Sequence, residues 1–118
     1  MSKRELQAWL ADIVAWGERL GGHIAGMTFQ DFAADPKTQD AVSKCIESIG
    51  LAAKEISSQA PTLDAAYPDL RLSQAYRARN KLSHGYYAIQ LDILWRTASE
   101  AVPRTVAAAR AAMKDAGS

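Results

Sequence analysis

The sequence predicts an all-α fold: an up-down antiparallel four-helix bundle with one short extra helical turn. Three observations predict it. Apolar residues recur at three- and four-residue steps along nearly the whole chain. No segment alternates with the period of two that a half-buried strand needs. The strongest local signals are helix starts and stops.

The first stripe is Leu6, Leu10, Ile13, Gly17, Leu20 and Ile24, widened by Trp9 and Trp16. Gly21 and Gly22 weaken its end, because glycine in a helix gives up the most backbone freedom. Thr28 with Asp31 three residues on reads as a capping box opening a short turn through Phe32. Asp35-Pro36 is a stronger start: Asp accepts from free backbone donors, and Pro at the first helical position loses nothing by lacking an N–H. Val42, Ile46, Ile49, Ala53 and Ile56 follow as a second stripe, which Ala60-Pro61 ends. Residues 61–71 hold two prolines and read as irregular, with one short turn. The third stripe is Leu72, Ala75, Tyr76, Leu82 and Tyr86. The fourth runs Leu91, Leu94, Trp95, Ala98, Val102, Val106, Ala109 and Met113, with a kink or break expected near Ser99 to Val102 because of Pro103.

At 118 residues the chain is one domain, 1–118, able to bury a core without staples. Hydrophobic residues make up 48%, which excludes a disordered body. The single cysteine, Cys45, cannot form an intrachain disulfide. Charged residues interrupt the apolar positions of the first twenty residues, so no secretory signal is expected, and no apolar run approaches the roughly 20 residues of a bilayer crossing. A cytoplasmic protein without a membrane partner is the expectation. Net charge is +1, unevenly spread. Residues 1–69 carry 6 Lys or Arg and 10 Asp or Glu, a balance of −4; residues 70–118 carry 8 and 3, a balance of +5. Between Asp69 and Asp92 there is no acid, and that window holds Arg71, Arg77, Arg79 and Lys81. Such a patch attracts a polyanion; it also fits a solvated face paired with acids of the N-terminal half.

The informative residues are in the third helix. Arg79 lies seven residues after Leu72 and seven before Tyr86, about two turns each way, so an arginine falls inside an apolar stripe. A buried guanidinium cannot lose its charge and needs an anion or several acceptors. Glu47 on the second helix is one internal candidate, and snorkelling at the bundle edge is another reading. His84 comes five residues after Arg79, roughly 140° round an ideal helix, so the two share no face while the helix stays regular. Gly85 is a natural stop signal that would leave His84 at a frayed end. His23 and His84 with one cysteine give no metal-ligand spacing, and no cofactor is expected.

Arg79-Asn80-Lys81-Leu82-Ser83-His84-Gly85-Tyr86 matches R-N-x-x-x-H-x-Y and resembles the signature of the HEPN superfamily, more closely its HepT-like toxin branch. The stretch Gly26-Met27-Thr28-Phe29-Gln30-Asp31-Phe32, then Asp35 and Lys37-Thr38-Gln39-Asp40-Ala41-Val42, resembles the family's N-terminal hallmark. Leu91-Asp92-Ile93-Leu94-Trp95 resembles the opening of its last helix, and the similarity covers roughly residues 5–113. Leu51 stands where relatives often carry an acid, and Gln90 where they often carry a capping Asp.

The resemblance implies a metal-independent RNase toxin of a type VII toxin–antitoxin system, acting as a homodimer whose motifs face each other across a helical seam. Arg79 and His84 would be catalytic. Asn80, Lys81 and Arg77 would bind the RNA substrate. A cognate minimal nucleotidyltransferase antitoxin of the MntA type would transfer AMP to Tyr86 and silence the toxin. The chemistry is consistent: the ribose 2′-hydroxyl is the nucleophile, His84 titrates near neutrality, and Arg79 can hold a phosphate through two donors. Two other readings fit the same residues. One is a non-catalytic module that binds a nucleotide or a nucleotidyltransferase partner. The other is a structural bundle in which Arg79 pairs with Glu47. Trp9, Trp16, Trp95 and Tyr87 read as core, core edge or seam.

Overall fold

The computed structural model describes residues 1–83 and 90–117. The elements are α1 (Lys3–Ile24), α2 (Phe29–Ala33), α3 (Pro36–Gln59), α4 (Leu63–Ala66), a 3₁₀ turn (Pro68–Leu70), α5 (Leu72–Ser83), α6 (Leu91–Arg96), a π turn (Thr97–Ala101) and α7 (Val102–Ala116). The described residues are thus helical with connecting turns, in agreement with the all-α expectation.

Each start is built by the cap its sequence signals. The Ser2 hydroxyl accepts from the Glu5 N–H at the start of α1. Thr28 and Asp31 form the expected reciprocal box, the Asp31 N–H donating to Thr28 Oγ1 and the Thr28 N–H to the Asp31 carboxylate. Asp35 accepts from both the N–H and the hydroxyl of Thr38, with Pro36 opening α3. Gln90, by contrast, makes no side-chain cap on α6.

α1 continues through Gly21 and Gly22 to Ile24, because the stripe on either side of the pair is anchored in the core. The 61–71 connector is more ordered than its prolines suggest. It forms α4 and the 3₁₀ turn, and the Thr105 hydroxyl of α7 donates to the Asp69 and Leu70 carbonyls. The Tyr67 hydroxyl donates to Asp115, a bond that holds its phenol pKa above the ordinary value. Pro103 does not break the last helix, and the disturbance expected near Ser99 to Val102 is present. The chain widens into a π turn just before it, in which the Val102 N–H reaches back five residues to the Thr97 carbonyl. The wider turn accommodates the proline ring and its missing N–H, so α6, the π turn and α7 form one continuous span.

The core gathers Leu10, Ile13 and Leu20 of α1, Ile46, Ile49 and Ile56 of α3, Leu70 of the 3₁₀ turn, Leu72 at the start of α5, and Leu94, Ala98 and Ala109 of the last span. α1 packs between α3 and α7; α3 packs between α1 and α5. α1 and α7 run antiparallel, since Gln7 bonds the Met113 carbonyl while Gly17 lies against Val106 and Val102. A Cβ on Gly17 would come 2.1 Å from Val106 Cγ2, so glycine is what lets these helices approach. Trp95 packs at a tilt on buried Phe32 with ring centroids 5.3 Å apart, and Trp16 lies half-buried beneath the Arg19 guanidinium. Among the described residues, no helix is long and apolar enough to cross a membrane.

Candidate functional site

α5 exists because its first turn is anchored. Leu72 is buried, its N–H is taken by the Asp64 carboxylate, and the Ala75 N–H closes onto the Arg71 carbonyl. From that anchor Ala75 and Arg79 are carried up the side of the helix that faces α3, where they meet Gly50.

Gly50 sets the separation of the two helices. A Cβ built on it would lie 2.4 Å from Arg79 Cβ, 2.7 Å from the Ala75 carbonyl oxygen and 3.3 Å from Arg79 Cγ. The arginine stem therefore lies flat on the α3 backbone and the residue is half-buried. Its Nη1 donates to Asn80 Oδ1 at 3.3 Å. Leu51, next to Gly50, is 45% exposed.

Arg77 and Lys81 do not join Arg79. Each is two residues away, about 200° round the helix, and both line a cavity of about 340 Å³ on the side of α5 that faces the last helical span. Arg77, Asn80 and Lys81 are exposed. The basic window is thus divided: Arg79 and Asn80 share a hydrogen bond on one side, while Arg77 and Lys81 border a groove on the other. His84, Tyr86 and Tyr87, singled out from the sequence, lie outside the described residues.

Cys45 is not a nucleophile in this arrangement. It is buried in the core, and burial pushes its thiol above the ordinary value. Among the described residues, no group of three or more His, Cys, Asp or Glu could hold a metal ion. Sequence reasoning passed over Gly50. A glycine within an otherwise regular helix is the one signal that could have marked it, since that placement costs stability unless something packs against it.

Comparison with known proteins agrees with this architecture. The family model described as Ribonuclease HepT-like matches residues 16–112. A Thermococcus cleftensis protein named "Probable ribonuclease HepT" is 34% identical over 101 residues, 86% of this chain and 89% of that protein. A Methanocaldococcus jannaschii protein bearing an RNase name is 31% identical over 115 residues, 98% of this chain and 93% of its own length. A second protein of that organism, also named as an RNase, is 28% identical over 103 residues, 87% of this chain and 86% of its own. No solved structure matches the chain significantly. The family model over residues 16–112 and a relative 34% identical across most of both chains lead to one assignment: the protein belongs to the HepT-like ribonuclease family.

Proposed function

We propose that the chain is the RNase toxin of a type VII toxin–antitoxin pair, cleaving RNA without a metal as a cytoplasmic homodimer. The observation that carries this reading is the seating of Arg79 on Gly50 at the head of the R-N-x-x-x-H-x-Y motif, together with the family match. Arg79 holds a non-bridging phosphate oxygen through two donors and stabilises the charge that builds there. The 2′-hydroxyl attacks the adjacent phosphorus and gives its proton to one His84 imidazole. The bond to the 5′-oxygen breaks, and the departing oxygen takes a proton from the imidazolium of the second copy. The products are a 2′,3′-cyclic phosphate and a 5′-hydroxyl, with no redox change and no net proton consumed.

Regulation falls on Tyr86. AMP transferred there by a cognate minimal nucleotidyltransferase antitoxin adds bulk and a phosphate charge beside the catalytic pair, which excludes the RNA backbone. Arg77, Asn80 and Lys81 serve as substrate contacts.

The test is digestion of RNA by the purified chain in EDTA, with end-group analysis. Cleavage that persists and leaves cyclic phosphates supports the reading, and His84→Ala then abolishes it. Loss of cleavage on chelation overturns the metal-independent step, and an unchanged His84→Ala rate removes the histidine.

A further inference from the structure

α5 packs on α3, and the flank of α5 that carries Gln74, Ala78 and Lys81, with Arg71 just before it, borders a cavity that reaches the last helical span. Two cavities, of about 340 and 250 Å³, lie along that seam and share Arg71, Ile93, Thr97 and Ala101, so they form one continuous groove. Its floor is apolar, with Ile46 and Ile49 of α3 and Val102 of α7. Its rims are cationic: Arg71, Arg77 and Lys81 on the α5 side, Arg96 and Arg104 on the other. Among the described residues lining it, Glu100 is the one carboxylate; Asp92 pairs with Arg96 at 3.7 Å near the rim. Arg71 to Lys81 spans about 15 Å of helix and Arg96 to Arg104 about 12 Å, so the two rims are of similar length.

Two features of the backbone belong to this groove. Arg71 is, among the described residues, the non-glycine residue with positive φ, at φ 51° and ψ 46°. An arginine in the left-handed region is held there against its preference, and such strain gathers at sites of function. The π turn supplies Thr97 and Ala101 to the opposite wall, and π turns likewise gather at functional sites.

We propose that this groove binds single-stranded RNA, the rim cations tracking the phosphates while an unstacked base rests on the apolar floor; the inference rests on the ribonuclease reading and extends it to a substrate channel distinct from the Arg79 side of α5. Charge selects the occupant. Among the described residues, five cations, one of them paired with Asp92, and one lining carboxylate along an apolar trough match a polyanion that also offers flat apolar faces. A duplex keeps its bases stacked and cannot place one on the floor.

The experiment titrates a fluorescein-labelled single-stranded oligoribonucleotide, 2′-O-methylated so that it is not consumed, by anisotropy across a KCl series. Arg71→Gly combined with Arg104→Gln removes two rim charges, and glycine accepts the left-handed backbone, which protects the fold. With about 0.7 counterions released per phosphate contact, the salt slope falls by about 1.4 and affinity at 0.1 M salt drops about 25-fold. Ala101→Leu narrows the trough from the far wall without a charge change; it weakens single-stranded RNA with the slope intact and leaves duplex RNA unaffected. Arg110→Gln, whose side chain pairs with Glu18 on the α1 side, binds as the parent does. Thermal melts confirm folding. Groove variants that bind single-stranded RNA within twofold of the parent overturn the proposal. So does an Ala101→Leu chain that shifts the monomer–dimer equilibrium while keeping RNA affinity, which makes a second copy the occupant. If the parent cleaves unmodified RNA but the groove variants bind normally, the groove alone falls. If the groove variants lose affinity but the parent cleaves nothing, the nuclease reading alone falls.

Discussion

Gly50 of α3 lies directly beneath Arg79 of α5, close enough that a methyl group on the glycine would stand 2.4 Å from the arginine's own Cβ. Two opposing terms decide what Gly50→Ala does. Alanine gains up to about 1 kcal/mol of helix propensity. Overpacking against the Ala75 carbonyl and the Arg79 stem, neither a flexible chain end, costs about 1–3 kcal/mol. The substitution is therefore expected to lower stability in urea unfolding and to reduce RNA cleavage by displacing Arg79. A more stable variant would show that α5 can shift without loss.

Arg79→Lys tests the fork against the charge. Lysine keeps the cation but cannot present two parallel donors. Cleavage is expected to fall about 100-fold or more, the usual effect of losing one donor at a developing oxyanion, while the thermal midpoint stays near that of the parent. Equal loss of stability and activity would mean that Arg79 acts as packing.

Asp35 gives the chain an acid-side limit. Its carboxyl is held below the ordinary value, first by the Thr38 hydroxyl and then by the Thr38 N–H. A depressed carboxyl contributes stability that is fully present above the unfolded value and lost as pH falls through the folded one. Thermal midpoints of the parent and Asp35→Ala should therefore differ at pH 7 and converge in acid, below the ordinary carboxylate range near 3.8. Asp35→Asn, which keeps an N-cap oxygen, should retain part of the difference at pH 7. A gap that stays constant with pH would place the effect in packing.

On the proposed toxin–antitoxin reading, coexpression with a minimal nucleotidyltransferase antitoxin should add the mass of AMP to the peptide containing Tyr86, and Tyr86→Phe should remove it and restore growth arrest. Equal modification of the phenylalanine variant would move the site elsewhere, with Tyr87 as the next tyrosine in the chain.

The sequence by itself determined the helices and most of their ends. Thr28 with Asp31 and Asp35 with Pro36 are local devices, complete within three residues, so they are legible without any tertiary contact. It also determined the family, because R-N-x-x-x-H-x-Y and the blocks on either side are linear patterns. Tertiary structure decided the rest. Pro103 was legible as a disturbance, but that it takes the form of a π turn within a continuous helix depends on the packing of Leu94, Ala98, Val102 and Ala109 into the core. Arg77, Arg79 and Lys81 are one basic run when read along the chain. They part onto different sides of α5 once that helix packs against α3, because a helix turns 100° per residue and residues two apart stand about 200° from each other. Gly50 acquires its meaning only from what lies across from it, and Arg96 and Arg104 become neighbours of Arg71 only when the last helix folds back along the bundle.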